Sequence, residues 1–261
     1  MHEFPLWQIG GLNIDVSTFL AIIVSCVVVF VLARVAVSNL SVENPSKIQN
    51  FMEWVVEFVH NLIASTMPLN KVKTYLSLGM TLILFIFVSN LLGLPFGIVT
   101  EHTEEVKLFG HTLISQEMIQ KGIDKGHHGA EVAWWKSPTA DVSVTFGLAA
   151  IVFFLTHFLG LTRNTKHYLK HYFEPFPFFF PLNVLKELSK PLTLSLRLFA
   201  NIFAGEVLIS TILMAGVWGT PLLAAWQGFS LFVGGVQAFL FTILTMVYIG
   251  SAAIHNEEDH H

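Results

Sequence analysis

Arg197 has the clearest potential for chemistry, because it stands inside a strongly apolar stretch. Residues 191–205 around it read PLTLSLRLFANIFAG. A cation at the centre of a membrane-spanning helix costs about 2.5–3.5 kcal/mol on insertion scales. Packing does not require that cost, since leucine would fill the same space. The sequence therefore predicts a fixed positive charge that acts on something moving past it in a membrane.

The neighbours of Arg197 predict two separate polar stations on one helix. On a helical wheel, Lys186, Thr193 and Asn201 lie within about 40° of Arg197. Glu206 is nine residues further on, about 180° around the wheel and about 13 Å along the axis. The two charges cannot form a close ion pair while the helix is regular, so each is expected to face a different partner.

The last apolar stretch carries a second polar stripe. Ser230, Gln237 and Tyr248 fall broadly on one side of a helix. A buried amide such as that of Gln237 must find hydrogen-bond partners, which makes it the strongest member. Gly234 permits close approach of another helix, and packing explains it as well as a functional role does.

Two further polar residues have competing interpretations. Asn90 either contacts the polar path or only makes a hydrogen bond between helices. Asp141 either lines a water funnel or caps the following helix. The single cysteine, Cys26, excludes a disulfide framework, and the sequence contains no phosphate-binding loop, metalloprotease motif or nucleophile triad. We therefore expect no metal, no cofactor and no catalytic chemistry in this chain.

The composition indicates a membrane protein. Of the 261 residues, 53% are hydrophobic and only 12% are charged, whereas a soluble protein has about 25% charged residues. The apolar residues fall in long blocks, which indicates a polytopic protein. The formal net charge of −4 argues against nucleic acid as a partner.

The pattern predicts a single all-α membrane domain over residues 1–261, with five crossings. The predicted crossings are 16–37, 74–99, 141–161, 181–217 and 221–254. Residues 45–66 read as an amphipathic interfacial helix, and 100–137 as an external loop that ends at Trp134, Trp135 and Lys136. The last two helices are each over 30 residues long, or about 50 Å, against a hydrocarbon layer of about 30 Å. They must break or lie strongly tilted, with residues 218–220 forming the turn between them.

The basic residues predict the orientation. Three lysines lie between the first two crossings, and Arg163, Lys166 and Lys170 follow the third. The positive-inside rule places these segments in the cytoplasm. The N-terminus is then outside and the C-terminus inside.

Several segments together resemble a known family. The run KPLTLSLRLFANIFAGEVL resembles the signature of the a subunit of F-type ATP synthase, and so do NFMEWVVEFV, WWKSPTADVSVT and VQAFLFTILTMVYI. The resemblance is strongest to the bacterial form of Bacillus-like Firmicutes. It implies a stator subunit in the bacterial plasma membrane, with a ring of c subunits and the b subunits of the peripheral stalk as partners.

The resemblance also implies residue roles. Arg197 would face the carboxylate of a c subunit and block leakage between two offset half-channels. Glu206 would belong to the outer half-channel, with Asn201 and Gln237 lining its approach to the ring. The candidate channel-lining residues are Ser189, Thr193, Ser195, Ser230, Tyr248, Asn90, Asp141 and Lys186. Some relatives carry histidine where this chain has Ser230, so a histidine–glutamate relay is in doubt here.

Two rival interpretations remain open at this point. A self-contained transporter or channel would use Arg197 to bind an anion, and it predicts an internal repeat and broken helices. A membrane scaffold would carry these polar residues incidentally.

Overall fold

The computed structural model describes residues 4–9, 12–93, 99–108, 111–124, 128–163, 165, 172–173 and 176–253. Within them the chain forms helices and short antiparallel strands. The helices are α1 Val16–Ala36, α2 Lys47–Ala64, α3 Leu69–Gly93, α4 Gln116–Asp124, α5 Val142–Arg163, α6 Phe180–Leu213 and α7 Thr220–Ala253. The strands are β1 Leu6–Ile9, β2 Leu12–Asp15, β3 Val99–His102, β4 Val106–Leu108, β5 His111–Ile114 and β6 Ala130–Ala133.

Helices α1, α3, α5, α6 and α7 are long and apolar enough to cross a membrane. This confirms the prediction of an all-α polytopic membrane protein. Helix α3 differs most from its expected bounds, because it begins at Leu69 and ends at Gly93, and Val99 already belongs to β3. Lys166 and Lys170, on which the orientation partly depends, lie outside the described residues.

Local capping explains where two helices begin. The Asp15 side chain accepts hydrogen bonds from the backbone N–H groups of Ser17 and Thr18 at 2.9 and 3.3 Å, which satisfies two free donors at the start of α1. Ser46 caps α2 in the same way by accepting from Gln49. Helix α2 buries Val59 against the bundle and exposes Trp54, so it has the two faces expected of an amphipathic helix.

Helix α7 lies at the centre of the bundle, where it packs against α2, α3, α5 and α6. One buried cluster joins it to α2 and α3 through Met246, Ile63 and Val72. A second joins it to α3, α5 and α6 through Phe241 and Leu198. Among the described residues, helix α6 packs mainly against α5, α7 and short connecting segments, which leaves one long face of it without a neighbouring helix.

Helices α6 and α7 are continuous over 34 residues each, although Pro191 lies inside α6. Each is about 51 Å long. Of the two alternatives left by the sequence, breakage does not occur, so a strong tilt remains the way to fit them in a bilayer. The turn between them is a short 3₁₀ helix at Gly216–Gly219, slightly earlier than predicted, and Gly216 adopts a φ of 61° that favours glycine.

The segment predicted as an external loop is folded. Strand β3 pairs with β6, and β4 pairs with β5, both antiparallel. Leu113, Ile114, Ile119 and Val132 form a small buried core, and Trp7 of the N-terminal hairpin packs against it. We call the described residues 4–15 and 99–133 the cap. Its apolar residues are too few and too widely spaced to be recognised as a core from the sequence.

Candidate functional site

Arg197 projects from the unpartnered face of α6. Leu194 and Leu198, on the packed side of the helix, are 3% and 1% exposed and anchor it to the bundle. Arg197 itself and Thr193, one turn earlier, are exposed. Among the described residues no carboxylate forms an ion pair with Arg197. The guanidinium is therefore available to a group from another molecule.

The candidate hydroxyls near Arg197 bond to their own helix. The Ser189 hydroxyl donates to the Lys186 carbonyl at 2.7 Å, and Thr193 donates to the Ser189 carbonyl at 2.7 Å. Both side chains and Lys186 are exposed on the same face as Arg197. Ser195 differs, because it is fully buried and donates to the Leu192 carbonyl at 3.0 Å. Ser195 therefore belongs to the packed side of α6.

A second polar cluster joins α6 to α7 on the N-terminal side of Arg197 along α6. The Lys190 ammonium lies 2.5 Å from the carboxylate of Glu187, which is only 7% exposed. The same ammonium lies 5.3 Å from the centre of the Tyr248 ring. Arg197 and Glu187 both act electrostatically on Tyr248. Glu187 was not among the residues predicted from the sequence. Its three-residue spacing from Lys190 is typical of an ion pair on a helix and could have indicated it.

Glu206 lines a cavity of about 320 Å³ beside the C-terminal half of α6. This cavity brings together residues from three helices and one connecting segment. Its polar lining comes from Asn90, Ser137, Asn201, Glu206 and Ser230, and the Trp226 ring forms part of its apolar wall. Four residues singled out in the sequence thus share one site, whereas Gln237 and Asp141 do not line it.

Asn90 is both a helix–helix contact and part of the cavity wall. Its side-chain amide donates to the Gly234 carbonyl on α7 at 3.0 Å and accepts from the Thr139 hydroxyl at 2.5 Å. A Cβ atom added at Gly234 would lie only 3.1 Å from the Asn90 Cβ. Glycine at this position therefore lets α3 and α7 approach closely.

Replacing Asn90 with alanine is expected to destabilise the bundle by about 1–3 kcal/mol, because the buried side chain makes two hydrogen bonds between segments, to the Gly234 carbonyl and from the Thr139 hydroxyl, and both are lost. The measurement is thermal unfolding of the purified complex in detergent. Thr81→Ala is the matched control, since the Thr81 hydroxyl is exposed and bonds to its own helix. Equal unfolding temperatures for the two variants would contradict the assignment.

The segment before α5, which we call the rim segment (135–141), forms one edge of the cavity. The Trp135 indole donates to the Leu92 carbonyl at 2.8 Å, and the Ser137 hydroxyl donates to the Ser89 carbonyl at 3.0 Å. Ser137 lines the same cavity as Glu206. The rim segment therefore connects the end of α3 to the titratable group in the cavity.

Asp141 belongs to an ion cluster rather than to the cavity. Lys136 lies 2.6 Å from Asp15 and 2.9 Å from Asp141, and all three side chains are largely buried. Asp141 also accepts from the Ser143 backbone N–H at 2.9 Å and so caps α5. We call Lys136, Asp15 and Asp141 the rim ion cluster. It ties the start of α1 to the start of α5.

Lys136 and Asp141 keep their charges over a wide pH range. Burial opposes the charge on Lys136, but hydrogen bonds and charges of Asp15 and Asp141 outweigh it and raise the pKa of Lys136 above 10.5. Burial likewise opposes ionisation of Asp141, but the hydrogen bonds from Lys136 and Ser143 lower its pKa below 3.8. The Asp141 contribution is present above pH 3.8 and is lost as the pH falls; the Lys136 contribution is present below pH 10.5 and is lost as the pH rises.

The difference in unfolding temperature between wild type and Asp141→Asn is therefore expected to stay constant from about pH 5 to about pH 9. It should shrink as the pH falls below 3.8, because the carboxylate then begins to take up a proton, more readily in the unfolded chain than in the folded one. Thermal unfolding of both complexes across this range is the measurement. A difference that already disappears between about pH 5 and about pH 7 would contradict the assigned pKa direction.

Gln237 is only 7% exposed, and the described residues give its amide no hydrogen-bond partner. It lies on α7, one turn after Gly234. A largely buried residue whose amide has no partner among the described residues is unusual. Its donors and acceptor remain available to water or to a neighbouring subunit.

Comparison with known proteins decides the family. The family model of the ATP synthase A chain matches residues 17–250. The chain belongs to the ATP synthase A chain family. It is 41% identical to the ATP synthase subunit a of Lysinibacillus sphaericus, with 100% of this chain and 99% of the relative covered. The subunits a of Anoxybacillus flavithermus and Bacillus subtilis are 42% and 40% identical, and in both comparisons 98% of this chain and 99% of the relative are covered.

Membership of the ATP synthase A chain family confirms the resemblance seen in the sequence, including its Bacillus-like character. It makes the chain a non-catalytic subunit of an ATP synthase, a complex that carries out ATP synthesis and ion transport. The five long apolar helices make it a multi-pass membrane protein.

Proposed function

We propose that this chain is the proton-translocating stator subunit of the membrane sector of an F-type ATP synthase. In this proposal it supplies two offset half-channels to a rotating ring of c subunits. Arg197 lies between the half-channels and holds the arriving c-subunit carboxylate in its charged form. Ion flow is thereby coupled to rotation, and other subunits make ATP.

The observation that carries the proposal is the separation of Arg197 from Glu206. Arg197 is exposed on the face of α6 that has no neighbouring helix among the described residues, and no described carboxylate pairs with it. Glu206 lies in a cavity between α3, α6, α7 and the rim segment. An unpaired cation can bind a carboxylate from another subunit, and a separate titratable group can exchange protons with water. These two sites fit a mechanism with two half-channels.

The cavity around Glu206 is the proposed outer half-channel. Its volume of about 320 Å³ has room for several water molecules. Ser230, which faces Glu206 from α7, has no titratable group near neutral pH. Protons therefore reach Glu206 through water rather than through a histidine. Asn201 and Gln237 line the onward path to the ring.

The exposed side chains of Lys186, Ser189 and Thr193 mark the proposed inner half-channel, with Tyr248 beside them on α7. They share a face with Arg197, so a carboxylate leaving the arginine would meet them next. The driving force is about 2.3 kcal/mol per charge for each 100 mV. Ser195 and Asp141 are accounted for by packing and by the rim ion cluster.

The proposed partners are the c-subunit ring on the exposed face of α6, the b subunits of the peripheral stalk, and the rest of the ATP synthase. The proposed location is the bacterial plasma membrane, with the N-terminus outside and the C-terminus in the cytoplasm. The continuous helices α6 and α7 favour this assignment over a self-contained transporter, which would have broken helices around its site.

Disulfide cross-linking tests which surface meets the ring. Cys26 is exposed and must first be replaced by serine. Ala200→Cys, on the same face as Arg197, is expected to cross-link to a cysteine placed near the carboxylate of a c subunit. Ile151→Cys on α5 is the matched control, because Ile151 is 64% exposed on another helix. Cross-linking from Ile151 and none from Ala200 would contradict the proposed interface.

A further inference from the structure

Lys136 connects the rim ion cluster to the Glu206 cavity. Its side chain is only 10% exposed, and its ammonium contacts two carboxylates and lies 4.2 Å from the centre of the Phe4 ring. The next residue, Ser137, lines the same cavity as Glu206. A buried cation is thus fixed one residue away from the wall of the Glu206 cavity.

Lys136 is the charged group that acts on Glu206 among the described residues. The groups that face the cavity from the other elements are uncharged. They are Asn90 on α3, Asn201 on α6, and Trp226 and Ser230 on α7. Lys136 supplies one positive charge and Asp15 and Asp141 supply two negative charges, so the field at Glu206 depends on the balance within the rim ion cluster.

The rim ion cluster also fixes geometry. Asp15 caps the start of α1 and Asp141 caps the start of α5, and Lys136 forms an ion pair with each of them. Since Ser137 is bonded to α3, the rim segment is held by three helices at once. It cannot move away from Glu206 without breaking one of these contacts.

We propose that Lys136 is a positioning residue of the outer half-channel, which fixes the rim segment and sets the proton affinity of Glu206 through its buried charge. This inference rests on the proposed function and deepens it. The charge works against protonation of Glu206, because a nearby cation favours the ionised carboxylate. Glu206 would then release its proton to the c ring more readily than an isolated buried carboxyl.

The test uses the complete ATP synthase reconstituted into vesicles, with the outer half-channel facing the lumen. The rate of ATP synthesis is measured against lumenal pH, at fixed membrane potential and fixed pH on the other side. Lys136→Met should move the midpoint of this profile upward by about one pH unit, since loss of the cation tightens proton binding. Lys136→Arg should keep the wild-type midpoint.

Asp15→Asn removes the other partner of the Lys136–Asp15 ion pair. It therefore distinguishes an effect of the Lys136 charge from an effect of losing the ion pair as a structural contact. It removes an anion that offsets Lys136, so the midpoint should move downward. Asparagine caps helices as well as aspartate does, so α1 keeps its start. If the ion pair had only a structural role, Lys136→Met and Asp15→Asn would change the pH profile in the same way. Lys107→Met is the matched control, because Lys107 is 62% exposed in the cap, and it should leave the profile unchanged.

Opposite shifts for Lys136→Met and Asp15→Asn support the inference, whereas shifts in one direction or no shift overturn it. If Lys136→Met does not assemble, Asp15→Asn decides alone: a lower midpoint supports the inference, and an unchanged or higher midpoint overturns it. Glu206→Gln separates this failure from failure of the proposed function. If Glu206→Gln makes ATP at the wild-type rate, the proposed outer half-channel is wrong. If Glu206→Gln is inactive but the Lys136→Met profile is unshifted, only the role of Lys136 is wrong.

Discussion

Replacing Arg197 with alanine is expected to abolish ATP synthesis and ATP-driven proton pumping in the reconstituted complex. Arg197 is exposed on the unpartnered face of α6 and has no carboxylate partner among the described residues, so its removal should leave the fold of the bundle intact. Without the cation, a c-subunit carboxylate can pass the barrier in its neutral form. Protons can then cross without turning the ring in a fixed direction.

Passive proton flux through the membrane sector, after removal of the catalytic sector, separates this loss from failure to assemble. The Arg197→Ala sector should conduct protons at least as well as wild type while synthesis is lost. Arg197→Lys keeps the charge but not the planar fork of donors, and it should recover only part of the activity. ATP synthesis at the wild-type rate by Arg197→Ala would contradict the central role of the arginine.

Replacing Glu206 with glutamine is expected to lower ATP synthesis roughly a hundredfold, which is the usual contribution of a positioned proton-transfer group. Glutamine keeps the shape and the hydrogen-bonding capacity of the side chain. It cannot carry a proton. The loss should therefore appear in proton uptake on the outer side while assembly with the ring stays normal.

Glu117→Gln is the control for loss of one carboxylate, because Glu117 is 77% exposed in the cap. It should synthesise ATP at the wild-type rate. Glu206→Asp retains a titratable group and should keep measurable activity. If Glu206→Gln and Glu117→Gln are equally active, protons do not pass through the cavity, and the outer half-channel must be placed elsewhere.

Much of the site could be predicted because membrane helices follow simple rules. A charge in an apolar run is conspicuous, and a regular helix fixes the angle between residues nine positions apart. These two facts are enough to place Arg197 and Glu206 on different sides of α6 from the sequence alone. The length of α6 and α7 follows from the same apolar pattern.

The rest depends on contacts between segments distant in sequence. Lys136 looked like a boundary marker, because nothing in its neighbourhood shows that it meets Asp15 near the start of the chain. The cap has short strands whose core forms only when the N-terminal hairpin packs against it. Asn90 was ambiguous for the same reason, since its two partners lie on α7 and in the rim segment.

Proton flux through a locked rotor tests the central claim most directly. In membrane sectors freed of the catalytic sector, the Ala200→Cys variant is cross-linked to a c subunit, and passive proton flux is measured before and after reduction of the disulfide. If protons cross only on moving c-subunit carboxylates, the flux should fall to background while the disulfide is intact and return on reduction. Undiminished flux through the locked sector would contradict the account and would show that the chain conducts protons without the ring.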